Sequence, residues 1–134
     1  MNYLLDTNII SYYFRGNTNI QAKILNIGLK NLFVSNITYF ELVAGYTNSN
    51  SDYRDKSLKL LDEFMDLIQM VDLDRKSAKH SGQIKALLVK SGNVIEDTDL
   101  LIAGTAVANG LTLVTNNTKH FERIPNLKIQ DWSK

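Results

Sequence analysis

Apolar residues in this chain gather in five short runs, separated by longer stretches where they recur at helical spacing. The runs are "NYLLD" (2–6), "LFVS" (32–35), "IQMVDL" (68–73), "LTLVT" (111–115) and "LKIQ" (127–130). Each reads as a strand, the fourth with a glycine just before it. The stretches "NIQAKILNIGL" (19–29), "SLKLLDEFMDLI" (57–68), "DRKSAKHSGQIKALLVKSG" (74–92) and "DLLIAGTAVANG" (99–110) read as helices. The second carries its charges opposite its apolar face. The third opens on an acidic turn and stops near Gly92. The fourth starts on Asp99 as a cap and ends at Gly110. The polar segment "YTNSNSDY" (46–53) predicts a loop between helices. Strands alternating with helices predict an α/β fold with a parallel sheet covered on both faces.

The charged residues change the picture because of where they are missing. Residues 1–14 hold only Asp6, residues 37–51 only Glu41, and residues 98–118 only Asp99. At the chain average of 22% charged, windows of this combined length would hold about 11 charges. They hold three, all acidic. Glu41 falls in mid-helix, with Phe40 as its neighbour and Ile37, Ala44 and Gly45 on its side at one-turn spacing, which predicts a carboxylate turned against the core. An unpaired buried carboxylate is costly. No Lys or Arg stands three or four residues from any of the three acids, so a distant base, hydrogen-bond donors or a metal must compensate them.

Position along the chain favours the metal. Asp6 ends the first strand, and open parallel sheets bind ligands outside the carboxyl ends of their strands. Thr115, Asn116 and Asn117 end another strand and are expected at the same crevice, with Asp99 joining from a helix start. Carboxylate oxygens without cysteine suit Mg²⁺ or Mn²⁺. Taken singly, Asp6 and Asp99 are also explained as helix caps. That explanation does not extend to Glu41.

Composition adds bounds. The 134 residues predict one domain with a sizeable core. Net charge is +1, so no strong polyanion-binding signal is present, although 15 basic residues face only 11 acids once the three isolated ones are set aside. Lys79, Lys85, Lys90, Arg15 and Arg123 are the candidate phosphate contacts. There are no cysteines, which excludes disulfides and thiolate metal sites. No apolar run is long enough to span a membrane and no signal peptide is evident, so a cytoplasmic protein is expected.

The segments "LLDTNIIS", "SNITYFEL", "DLLIAGTAVANGLTLVTNN" and "HFERIPNLKIQDW" resemble the successive motifs of PIN-domain ribonucleases, and most nearly the VapC toxins of toxin–antitoxin pairs. The resemblance runs in order over nearly the whole chain. It implies a single PIN domain over 1–134, a three-layer α/β/α fold with a mainly parallel sheet of about five strands. It also implies metal-dependent cleavage of RNA by an acidic cluster. Matched motif by motif, Asp6, Glu41 and Asp99 are the catalytic and Mg²⁺- or Mn²⁺-binding acids. Asn8, Ser35, Thr38, Thr115 and Asn117 match polar residues that support them. The implied substrate is tRNA, with the initiator anticodon loop favoured. The implied partners are a VapB-type antitoxin and a second copy of the chain.

Two positions depart from the pattern. Asn117 stands where much of the family has an acid, and His120 where similarly worded members have one. These put the number of metals in question. An amide oxygen still ligates or hydrogen-bonds a bound water, and His120 reads foremost as a surface histidine. Asp97 is a possible extra carboxylate, though two residues from Asp99 it points elsewhere on a helix. Three rivals stand at this point. A phosphatase of the haloacid dehalogenase type needs a second Asp where Asn8 stands. A DNA nuclease of PIN-like fold lacks its insertions here. An inactive PIN fold that only binds antitoxin fits the two departures.

Overall fold

The computed structural model describes residues 1–134. Five strands, β1 (Tyr3–Leu5), β2 (Leu32–Ser35), β3 (Gln69–Val71), β4 (Thr112–Val114) and β5 (Ile129–Gln130), form one sheet in the order β3-β2-β1-β4-β5. All four pairings are parallel. The expected number of strands and their parallel arrangement both hold.

Successive strand residues serve opposite faces of the sheet. Leu5, Leu32, Val34 and Val114 join one apolar cluster. Leu4 and Leu113 join the other, with Phe33 packed against it. Both faces are therefore dry, which is why the strands read as continuous apolar runs. Helices α1 (Thr7–Phe14), α2 (Thr18–Ile27), α3 (Asn36–Thr47) and α4 (Ser51–Leu67) cover the first face. Helices α5 (Arg75–Lys90), α6 (Asp97–Asn109) and the single turn α7 (Thr118–Phe121) cover the second. The result is the three-layer α/β/α arrangement.

Two local expectations need correction, and one element was not expected. The segment 46–53 is mostly helical: α3 runs to Thr47 and α4 starts at Ser51. Asn50 caps α4, its side chain accepting from the Tyr53 amide at 3.1 Å, so the polar residues mark a helix start. Helix α6 begins at Asp97 with Glu96 as its cap residue, so Asp99 lies inside the first turn and is not the cap. Helix α7 is too short for periodicity to reveal.

Helices α5 and α6 approach closely at Gly104. A methyl group built there would stand 1.9 Å from Ser81 Oγ and 2.6 and 2.8 Å from the Ser81 backbone nitrogen and Cα. Gly110 ends α6 in the left-handed region at φ 65°, where a glycine is least strained, and turns the chain into β4. These contacts fix the axis of the helix that presents Asp99.

Candidate active site

Three chain turns at the carboxyl edge of the sheet build the site. Asp6 follows β1, Ser35 closes β2 and Thr115 follows β4, while the first turns of α1 and α6 and the middle of α3 supply the remaining side chains. They enclose a small crevice of about 250 Å³ whose lining is entirely polar. Asp6, Glu41 and Asp99 meet there, as the sequence predicts.

Asp6 is buried, and hydrogen bonds hold both its oxygens. The Thr7 amide donates to Oδ1 at 2.8 Å and the Thr115 hydroxyl donates to Oδ2 at 2.8 Å. Thr115 Oγ1 in turn accepts from the Asn117 amide at 3.0 Å, so the loop after β4 is locked to the carboxylate. Burial pushes the Asp6 carboxyl up to about 6, against the two hydrogen bonds that hold it down and with smaller contributions from the charges of Asp99 and Glu41. Asp99 is half-buried, and its carboxyl is raised by desolvation, opposed by His120.

Glu41 differs from expectation. It is half-buried, at the crevice edge, because the side of α3 it shares is not a core face: Ala44 and Gly45, one turn on, are exposed. Its partner is Thr7, whose hydroxyl donates to Oε1 at 2.6 Å. Behind Thr7, the Thr38 hydroxyl lies at 3.3 Å, and Ser35 donates to Thr38 at 3.4 Å. Ser35 and Thr38 are fully buried, and the three hydroxyl protons can all run toward Glu41. Their predicted supporting role therefore has a geometry.

The other candidates divide. Asn8 and Asn117 line the crevice. Asn116 turns toward α1, its amide donating to the Tyr12 hydroxyl at 3.2 Å. Asp97 points away and pairs with Lys85 at 2.8 Å, which also removes Lys85 from the set of free phosphate contacts. His120 is half-exposed, yet its ring is turned inward against Asn117 and Asp99. Sequence reasoning missed two residues. Thr7 was identifiable as the residue after the isolated acid. Glu96 lines the crevice with no side-chain capping bond and no basic partner, hidden in the sequence beside Asp97.

Four carboxylates thus share a crevice without a Lys or Arg on its walls. This donor set fits a hard divalent cation. No three acid or histidine side chains converge into a ready-made cage.

A polar crevice at the carboxyl edge of a parallel sheet is where α/β proteins bind their ligands. Comparison with known proteins narrows that class. The PIN domain family matches residues 3–127. The chain is 33% identical to the tRNA(fMet)-specific endonuclease VapC of Shigella flexneri over 99% of each chain, and 36% identical to ribonuclease VapC2 of Rickettsia felis over 100% of each. Its fold superimposes on a chain of the DNA-bound VapBC structure from Salmonella typhimurium with a TM-score of 0.91, at 33% identity and 98% coverage of both chains. The chain belongs to the PIN-domain family, among the VapC ribonucleases.

Proposed function

We propose that this protein is the toxin endoribonuclease of a VapBC pair, hydrolysing RNA phosphodiester bonds with Mg²⁺ or Mn²⁺ held in the crevice. The observation that carries this reading is the meeting of Asp6, Glu41 and Asp99, each the only charge in its segment, in one polar crevice with no Lys or Arg on its walls. A bound cation would supply a water acidic enough to attack near neutral pH and would offset the charge developing on the phosphate. Asp6, Glu41 and Asp99 would hold it, directly or through its waters. Thr115 and the Thr7 amide keep Asp6 in one orientation, and Thr7, backed by Thr38 and Ser35, does so for Glu41. Calorimetric titration with Mn²⁺ should show one site that Asp99→Asn weakens at least ~10-fold. Equal affinity in the variant contradicts this assignment.

The substrate we infer is tRNA, cut in the initiator anticodon loop. The names of the Shigella and Salmonella relatives support it, as does access: a loop exposes backbone and bases that an A-form stem hides. Such a substrate places the protein in the cytoplasm; no helix is long and apolar enough to cross a membrane.

A VapB-type antitoxin and a second copy of the chain are the inferred partners. The aromatic run 12–14 is largely used in core packing, Tyr13 and Phe14 both lying against Phe64. Apolar area open to a partner lies on α3, where Tyr39, Phe40, Val43 and Ala44 line a groove of about 610 Å³. Light scattering at about 50 µM, well above the range of a stable interface, should report a dimer. A strict monomer that stays monomeric at that concentration contradicts the homodimer.

A further inference from the structure

His120 is one of only two histidines, and the fold brings it where a surface histidine has no reason to be. The single turn of α7 follows directly on the Thr115–Asn117 loop that is locked to Asp6, so the ring is carried to the rim of the crevice. Its Nδ1 faces inward, 2.7 Å from the Asn117 amide nitrogen and 3.4 Å from Asp99 Oδ2. With the ring proton on Nε2, the single Nδ1 lone pair takes the amide N–H and stands beside a carboxylate oxygen it cannot hydrogen-bond, two acceptors side by side; with the proton on Nδ1 the ring donates to Asp99 instead. In the Nε2 tautomer, a cation bound by Nδ1 and Asp99 would take the place of the amide N–H and satisfy both acceptors. Donors in adjacent positions on an octahedral ion lie about 3 Å apart, close to the separation seen. The Asn117 amide, rotated by half a turn, offers its oxygen in the same place.

We propose that His120 is a nitrogen ligand of the crevice cation, with Asp99 and the Asn117 amide oxygen beside it, and that it selects Mn²⁺ over Mg²⁺. The inference rests on the metal-dependent reading above and deepens it. Mg²⁺ is hard, prefers oxygen and gives up its waters reluctantly; Mn²⁺ also favours oxygen but, at the low end of the first-row transition series, accepts an imidazole nitrogen more readily than Mg²⁺ does. A crevice lined only by carboxylates would discriminate little between the two ions. One with an imidazole at its rim gains more affinity for Mn²⁺ than for Mg²⁺.

The test is pulsed electron paramagnetic resonance of Mn²⁺ bound to the full chain, read for coupling to a directly bound nitrogen-14. It is combined with calorimetric Mn²⁺ and Mg²⁺ affinities, and activity plays no part in either readout. The native protein should show the coupling, and His80→Asn should keep it. His120→Asn should lose it and lower the ratio of Mn²⁺ to Mg²⁺ affinity about tenfold. His120→Asp should lose the coupling while binding Mg²⁺ at least as well as the native chain. If Mn²⁺ binds in an Asp99-dependent way with no nitrogen coupling and an unchanged ratio in His120→Asn, the proposal is overturned and the metal site stands. If the native chain binds no Mn²⁺ at millimolar concentration, both fall.

Discussion

Asp6→Asn should yield a protein that cuts no RNA and yet melts at a higher temperature than the native chain. The activity loss follows from removing a charge at the centre of the site, an effect on the order of 10²–10³-fold or more. The stability gain follows from burial. With the Asp6 carboxyl raised to about 6, the folded metal-free protein holds a proton there between pH 4 and 6, roughly, that the unfolded chain has already released. Stability therefore falls as pH rises through that window, and at pH 7 the ionised, buried Asp6 costs on the order of 3 kcal/mol. Asparagine removes the charge and still offers an oxygen to the Thr7 amide. Allowing for an imperfect match to Thr115, the gain at pH 7 is about 2 kcal/mol, or about 6–10 °C in Tm. Thermal melts in EDTA across pH 4 to 8, roughly the range that spans both ends of the window, should show the native and variant curves converging at the acid end. A variant that retains activity within tenfold, or melts lower than native at pH 7, contradicts the role given to Asp6. Such a balance is expected where a site is kept for chemistry at the expense of the fold.

The second large effect concerns the helix that carries Asp99. Helix propensity alone predicts that Gly104→Ala stabilises the protein by about 1 kcal/mol. The packing predicts the opposite sign. The added methyl meets the Ser81 backbone at 2.6 and 2.8 Å, and backbone cannot rotate away. Helices α5 and α6 must separate, at a cost typical of overpacking, about 3 kcal/mol. The net result is a loss of about 2 kcal/mol, read from the midpoint of urea unfolding. Adding Ser81→Ala removes only the hydroxyl contact and should restore less than half of the loss. Stabilisation by Gly104→Ala would show that the helices are not held this closely.

The strands were legible because both sheet faces are buried, so that Leu4 and Leu5, which serve opposite faces, read as one apolar run. The start of α4 was not, since Asn50 and Ser51 suit a loop and a capped helix start equally well. The acids were legible by their isolation, a signal that needs no knowledge of the fold. The setting of Glu41 was not legible, because apolar residues on a helix face open to solvent, here Ala44 and its neighbour Gly45, carry no mark in the sequence. Thr7 and the hydroxyl relay behind it depend on contacts between α1 and α3 that lie about thirty residues apart in the chain. Glu96 was masked by its acidic neighbour, because only the helix start decides which of Glu96 and Asp97 faces the crevice. His120 read as a surface residue, and half of it is; the direction of the ring is a tertiary fact.

The central claim is tested most directly by mapping new RNA ends after total bacterial RNA is incubated with the native chain in Mg²⁺ or Mn²⁺, beside EDTA and Asp6→Asn controls. The account predicts ends concentrated at one position in the initiator tRNA anticodon loop, absent from both controls. Ends confined to ribosomal RNA or scattered over messenger RNA would refute the substrate. No new ends, or ends that persist in EDTA and with Asp6→Asn, would contradict the metal-dependent ribonuclease itself.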